Sequence, residues 1–375
     1  MKKRRIKILQ FPIANSNGGI THYILNNWKW MDKEKFQCDF ATMSKHLDFA
    51  EEILATGSNI YYISCYAENN REQFIQEFEY ILENDYDVVH LHTKQWKSFL
   101  AEDICRKYYV PKVIVHSHNT GIDVPDLLEQ KREMELHEQV KTGVNESIAT
   151  DFWACSELAA DFLFGKQIPR EKIEIMVNAI ELEQFIFCQK KYEKYRKAYG
   201  LKDCFVIGHV GRFEYSKNHK FLIKVFLEVC RKIKNAKLLL IGTGKLEKNI
   251  HHMVEELGLS SKVLFMGKRT DVSELLQIMD VFCLPSRFEG LGIAFIEAQA
   301  MGLPSIVSDT IPKEAVVNEN VKVLPLAYDI WIDEVIKSRY SLRVKNQMRL
   351  KQKGYDIKDQ IKQVEEKYAG GHNTL

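Results

Sequence analysis

Short apolar, β-branched runs alternate along most of the chain with longer stretches whose apolar positions recur every three to four residues. That alternation builds parallel sheets from βαβ units. In the first half the spacing predicts strands over residues 6–11, 38–43, 59–63, 88–91, 112–116 and 152–154, with polar-patterned helices such as 71–83 and 97–107 between them. A second series predicts strands over 205–210, 237–241, 263–265, 281–284, 305–307 and 321–324, separated by helices such as 221–233 and 246–257. Between them, residues 173–202 are rich in charge and aromatics and follow neither period. The economical reading is two doubly wound α/β domains, residues 1–180 and 181–330, followed by charged helices over 331–375.

Composition agrees with this division. A chain of 375 residues is long for one core and suits two domains. With 45% hydrophobic and 28% charged residues it has the composition of a globular protein, not a disordered one. The balance of 53 basic against 51 acidic residues gives no global attraction to nucleic acid. The local excess at Lys2, Lys3, Arg4 and Arg5 suits either a weak peripheral contact with anionic headgroups or a solvated lead-in to the first strand. Four charges bind a membrane only weakly, which favours the lead-in. No apolar run approaches the ~20 residues that cross a bilayer, and the start is too short in apolar character for a signal peptide. The eight cysteines include no C-x-x-C pair, so the expectation is buried thiols in a reducing cytoplasm, without zinc or a disulfide framework.

Ligands of doubly wound sheets bind beyond the carboxyl ends of the strands, so chemistry is sought in the loops that follow strands. Three loops stand out. The first, Asn15-Ser16-Asn17-Gly18-Gly19-Ile20-Thr21, can turn backbone N–H groups and a helix N-terminus toward a phosphate or sugar hydroxyl. It serves equally as a tight strand-to-helix turn, and it lacks both the dinucleotide and the P-loop spacing. The second runs from Gly211 through Arg212, Phe213, Glu214 and Tyr215 to Lys217. A planar guanidinium and a point charge five residues apart suit a diphosphate, or are two solvated loop cations. The nearby Gly242-Thr243-Gly244 turn has no third glycine, which counts against nicotinamide binding. The third follows Pro285: Glu289, then Gly290, Leu291 and Gly292 before an apolar helix that carries Glu297. Backbone amides at 290–293 would face an anion, with a carboxylate on either side for hydroxyls. A salt-bridged glutamate on a core helix is the plain structural alternative.

Together these loops resemble the retaining GT-B glycosyltransferases of the family 4 type. Glu289 and Glu297 match that family's E-x7-E motif, followed by Ala300-Met301-Gly302-Leu303-Pro304. Gly18-Gly19, Gly211-Arg212…Lys217, Asp271…Asp280 and Val177-Asn178-Ala179-Ile180-Glu181…Phe185 fall where the family has its counterparts. The resemblance spans roughly residues 6–310 and is stronger in the second domain. It implies two Rossmann-like domains facing a central cleft, with the C-terminal helices crossing back toward the first domain. By the same resemblance, Arg212 and Lys217 neutralise the donor diphosphate, Glu297 holds the ribose and Glu289 the transferred sugar. Backbone around Lys268 and Arg269 reads the base, and His118, in His116-Ser117-His118-Asn119, contacts sugar, with His116 and Asn119 as weaker candidates.

The expected reaction is transfer of a hexosyl or N-acetylhexosaminyl group from a nucleotide-diphosphate sugar, UDP by precedent, to a saccharide or polyprenyl-linked acceptor. The setting implied is capsule or exopolysaccharide synthesis at the cytoplasmic face of the membrane. No cofactor, metal or enzymic nucleophile is required by that chemistry, and Asp85-Tyr86-Asp87 reads as a strand-entry turn despite its D-x-D spelling. Three departures from the family stand out: Asn178-Ala179 in place of Asn-Gly, which stiffens the hinge; Ile311-Pro312-Lys313-Glu314 beyond Asp309, which bears on the acceptor or sugar edge; and the charged stretch 123–145, a candidate acceptor-facing or membrane-facing lid. A sugar-nucleotide epimerase and a non-catalytic sugar-nucleotide-binding subunit are the alternatives. The E-x7-E spacing argues against the first, and the retained charged residues against the second.

Overall fold

The computed structural model describes residues 4–16 and 18–370, so Lys2, Lys3 and Asn17 lie outside the described residues. The chain forms two compact units. The first takes in the chain through Ile122, then Leu127–Ala179 and the helix Ile357–Ala369; the second takes in Asp123–Asp126 and Ile180–Asp356.

The first unit is built on seven strands: β1 (Ile6–Phe11), β2 (Phe36–Thr42), β3 (Ile60–Tyr62), β4 (Val88–Thr93), β5 (Lys112–Ser117), β6 (Asp151–Ala154) and β7 (Ile173–Ile175). They pair in parallel in the order β3-β2-β1-β4-β5-β6-β7. The second unit has six: β8 (Phe205–Val210), β9 (Ala236–Ile241), β10 (Val263–Phe265), β11 (Val281–Leu284), β12 (Ser305–Ser308) and β13 (Val321–Leu324), in the parallel order β10-β9-β8-β11-β12-β13. Both are Rossmann-like α/β sheets. Strand order reverses between β1 and β4 and between β8 and β11, and the crevice at such a reversal is where open α/β sheets bind ligands. The Gly18-Gly19 loop follows β1, the Arg212–Lys217 loop follows β8, and the Glu289 loop follows β11, so all three lie at reversal points.

The central strands are buried on both faces and read as continuous apolar runs; all four residues of β11 are buried. β7 was not anticipated. It is a three-residue edge strand, Ile-Glu-Ile, paired through Phe152↔Ile173 and Ala154↔Ile175, and is too short to show a period.

The helix His219–Lys232 turns Phe221, Leu222, Val225, Phe226 and Val229 inward at helical spacing. Phe221 stacks on Tyr328 and meets Trp331 edge-on, which seats the helix Tyr328–Ser338 on the second core. In the first unit, Ile361, Val364 and Tyr368 of the helix Ile357–Ala369 bury among Tyr23, Ile24 and Trp28 of the helix Gly19–Trp30. The stretch flagged as a lid is largely the helix Leu127–Lys141, in which only His137 is buried and Leu127 and Leu128 are exposed. Asp85-Tyr86-Asp87 is a turn into β4: Asp87 Oδ2 accepts from the Lys7 backbone N–H at 2.8 Å, and the buried Tyr86 hydroxyl donates to Asp39 at 3.0 Å.

Candidate active site

β8 ends at Val210 and delivers the chain into the cationic loop. Two contacts from the end of β9 and the turn after it hold that loop in place. Phe213 N–H donates to the Thr243 carbonyl at 3.0 Å, and Gly211 N–H to the Ile241 carbonyl at 2.9 Å. A Cβ on Gly242, which also has φ +134°, would stand 2.1 Å from the Gly211 carbonyl oxygen, and one on Gly244 2.6 Å from Phe213 backbone. These glycines permit close packing of two loops and need no bound nucleotide to account for them.

Arg212 lies 3.7 Å from Asp123 and 3.8 Å from Glu214, beyond hydrogen-bonding distance of either, with its side chain 37% exposed. Asp123 instead accepts from Ser216, at 2.8 Å from the backbone N–H and 3.0 Å from Oγ. Asp123 therefore clamps this loop. Asn218, at φ +54°, turns the loop into the helix His219–Lys232.

Lys217 does not stand apart from the third loop. Its ammonium meets Glu289 Oε1 at 2.5 Å, and Ser286 Oγ donates to the same oxygen at 2.5 Å. Both partners are largely buried, the side chains being 18% and 8% exposed. The sequence assigned these residues to different parts of a ligand; the structure joins them in one charge-assisted pair. The carbonyl of Ser286 accepts from Ser308 Oγ at 2.6 Å and Thr310 Oγ1 at 2.9 Å, tying the loop to the end of β12. The Arg287 N–H donates to the Ser216 carbonyl at 2.7 Å, and its guanidinium lies over the Tyr215 ring, so the cationic and acidic loops form one frame.

Gly290 and Leu291 are buried in that frame. Gly292, at φ +85°, caps the helix Ile293–Ala300, a conformation that a side chain would strain. Glu297 sits inside this helix, 9% exposed, and among the described residues its carboxylate has no hydrogen bond or ion pair. Burial alone pushes its pKa up to about 8. A lone buried carboxyl is costly unless something pairs with it.

Arg269 is held by its neighbour: Nε and Nη2 donate to the two oxygens of Asp271 at 2.7 and 2.6 Å. Asp280 is structural. It accepts from the Val206 N–H at 2.7 Å and pairs with the buried Arg196 at 2.5 Å.

In the first unit, Gly18 caps the helix that begins at Gly19, and His118 follows β5. Asn119 is turned back on the Gly121 carbonyl at 2.5 Å. Sequence reading missed what His118 belongs to. Register His92↔His116 between β4 and β5 places His90, His92, His116 and His118 in one row. His92 Nδ1 lies 2.9 Å from His118 Nε2, and His90 Nε2 lies 3.2 Å from His116 Nδ1. The visible signal was the i, i+2 spacing within each strand, which puts both histidines of a pair on one face.

Ligand atoms of His90, His92 and His116 lie within 4.8 Å of one another. The rings, however, stack nearly parallel, at 25° for His90–His92 and 12° for His90–His116. In-plane lone pairs of stacked rings do not converge on a point, so the row is a hydrogen-bonded array and not a tetrahedral metal cradle. In the second unit His209, also unforeseen, donates from Nδ1 to the Cys283 carbonyl at 2.8 Å, and its Nε2, beside Gly211, has no partner among the described residues.

Residues 191–329 match the glycosyl transferases group 1 family. Over 372 residues the chain is 29% identical to a Bacillus subtilis glycosyltransferase named EpsF, covering 96% of each protein. It is 23% identical over 314 residues to the Escherichia coli UDP-Gal:α-D-GlcNAc-diphosphoundecaprenol α-1,3-galactosyltransferase, covering 81% of this chain and 80% of that one. The crystal structure of Anabaena HepE in complex with UDP and glucose superimposes with a TM-score of 0.76 at 15% identity, over 98% of this chain and 100% of that one. The structural likeness carries the two-domain GT-B fold. Residues 191–329 are a glycosyl transferases group 1 domain, and the chain that carries it is a glycosyltransferase.

Proposed function

We propose that the chain is a retaining, family 4 type hexosyltransferase that takes its sugar from a UDP-sugar. The observation that carries this reading is Glu297. It is a buried carboxyl without a partner among the described residues, eight residues beyond a glutamate that is paired to the loop cation Lys217, where the strand order of the second sheet reverses. Ribose hydroxyls supply the hydrogen bonds that Glu297 lacks. Arg212, loosely held, and Lys217 take the diphosphate, with the amides at 290–292 beside them; Glu289 takes hydroxyls of the transferred sugar. Breaking the anomeric bond leaves charge on the diphosphate, which these groups stabilise in place. The leaving phosphate then accepts the acceptor's proton as the acceptor attacks the same face, so no enzymic nucleophile, metal or cofactor takes part. His118, by resemblance, contacts sugar from the first unit.

UDP is favoured because the E. coli relative is named for UDP-galactose and HepE was crystallised with UDP. The same relative's name supports a polyprenyl-diphosphate-linked saccharide as acceptor, and likeness to EpsF supports exopolysaccharide synthesis. Peripheral contact with the membrane fits such an acceptor. Arg4 and Arg5 contribute less to it than their sequence suggests, since Arg4 pairs with Asp87 at 3.3 Å and Arg5 with Gln37 at 3.0 Å. Residues 335–355 suit it better: Lys337, Arg339, Lys345, Arg349 and Lys353 lie in a stretch without one acid, with Tyr340, Leu342 and Met348 exposed, whereas Arg343 is spent on the carbonyls of Met301, Leu276, Gln277 and Met279 and Lys351 pairs with Asp356. Low-salt co-sedimentation is expected with phosphatidylglycerol vesicles and not with phosphatidylcholine; equal recovery from both would reject the contact. The transfer itself is tested by nucleotide release over UDP-, GDP- and ADP-sugars. Release is expected from a UDP-sugar, and absence of binding by every donor in calorimetry would end the assignment.

A further inference from the structure

The histidine row is more than a packing motif, because a single amide sits at its root. Gln10, on β1 and buried, donates from Nε2 to the Tyr368 hydroxyl at 3.0 Å, while its Oε1 lies 2.7 Å from His92 Nε2. The amide oxygen can only accept, so His92 carries its proton on Nε2. Burial holds His90, His92 and His116 well below the usual histidine range, and burial with the nearby charge of Lys94 holds His118 at about 3. All four rings are therefore neutral, with one proton each. His92 Nδ1 must then accept, and the ring 2.9 Å away donates to it from Nε2. That ring is His118, which leaves its Nδ1 as a bare acceptor, shielded from solvent and without a partner.

The other string follows the same logic. The Tyr368 oxygen accepts from Gln10, and its own hydrogen has His90 Nδ1 at 2.7 Å as its recipient. His90 then donates from Nε2 to His116 Nδ1 at 3.2 Å, and His116 keeps its proton on Nε2. Turning the Gln10 amide over would reverse every donor in both strings. The structure sets the amide nitrogen on the Tyr368 hydroxyl and the amide oxygen on His92, which is the first of the two.

We propose that Gln10 is a positioning residue which, through His92, locks His118 as the Nε2–H tautomer, so that His118 offers Nδ1 as an acceptor for a hydroxyl of the sugar. The lock itself is independent of what binds; the identity of the partner as a sugar hydroxyl rests on the transferase reading. A fixed acceptor at the end of a string of neutral rings selects a group that donates. It discriminates against a carboxylate or phosphate oxygen, which would meet a lone pair.

The test is histidine-selective 15N labelling of the unliganded protein at neutral pH, with tautomers read from long-range proton–nitrogen correlations. His118 is expected to show a protonated Nε2 and a bare Nδ1. A protonated Nδ1, or an imidazolium, would overturn the lock. In Gln10→Leu the anchor is gone, and His118 is expected to average between tautomers; an unchanged His118 pattern in that variant would equally overturn the role of Gln10. The wild-type measurement stands even if the variant folds poorly. If no donor is ever turned over while these tautomers are found, the transferase reading falls and the lock remains. If the tautomer is reversed in an active enzyme, the lock falls and the transferase reading remains.

Discussion

Lys217→Ala and Glu289→Gln are each expected to lower kcat/KM by about 10²- to 10³-fold, the usual cost of removing one group that stabilises developing charge, yet to act oppositely on nucleotide affinity. The 2.5 Å pair between them means that, without ligand, each already neutralises the other. Removing the lysine takes away a diphosphate partner and leaves a buried carboxylate facing the site, so UDP should bind more weakly. Glu289→Gln keeps an acceptor for Ser286 Oγ and releases Lys217 from its counter-charge. UDP should then bind at least as tightly as to wild type, while transfer fails because the sugar's hydroxyls lose a charged acceptor. Calorimetry with UDP beside steady-state kinetics separates the two effects. The double variant should fall well short of the sum of the single losses, since the residues act in direct contact. Equal loss of UDP affinity in both variants would show that the pair works as one anion site and that Glu289 has no separate task.

The difference between what could be read in the chain and what could not is one of range. Strands such as Val281–Leu284 are buried on both faces, so an apolar run bounded by a proline locates them without knowledge of their neighbours. The loops at 15–19, 211–217 and 285–292 follow from such strands, and their glycines and charges are local facts. The Lys217–Glu289 pair is not local: 72 residues separate its members, and only the pairing of β8 with β11 brings their loops together. The histidine row depends on the register of β4 against β5, where a slip of one residue would send the rings to opposite faces. Gln10 and Tyr368, 358 residues apart, meet only because the helix Ile357–Ala369 returns to the first core. Likewise, the oddity of Glu297 is the lack of a partner, a property of its surroundings that no spacing reveals.

That lack of a partner gives Glu297 the clearest pH signature in the molecule. Burial raises its native pKa to about 8 from the ordinary 4.5, so between those values the folded chain holds a proton that the unfolded chain has lost. Stability contributed by the neutral carboxyl is therefore complete below about pH 4.5 and is lost as pH rises through about 8. At about 1.4 kcal/mol per unit, the swing is on the order of 5 kcal/mol. Glu102, raised to about 7 by burial, slopes the same way, but it is common to wild type and variant and cancels in their difference. Glu297→Gln should accordingly be near neutral for stability at pH 5 and stabilising at pH 9, as read by denaturant unfolding across that range. Donor binding must reverse the preference. Two ribose hydroxyls donating to the carboxylate favour its charged form, so UDP binding near pH 7 should release a proton, seen as a binding enthalpy that varies with the ionisation enthalpy of the buffer. In Glu297→Gln that release should vanish and UDP affinity should fall about 10²-fold, the worth of losing charge-assisted hydrogen bonds. Proton release that persists in the variant would place the titrating group elsewhere and take the ribose from Glu297.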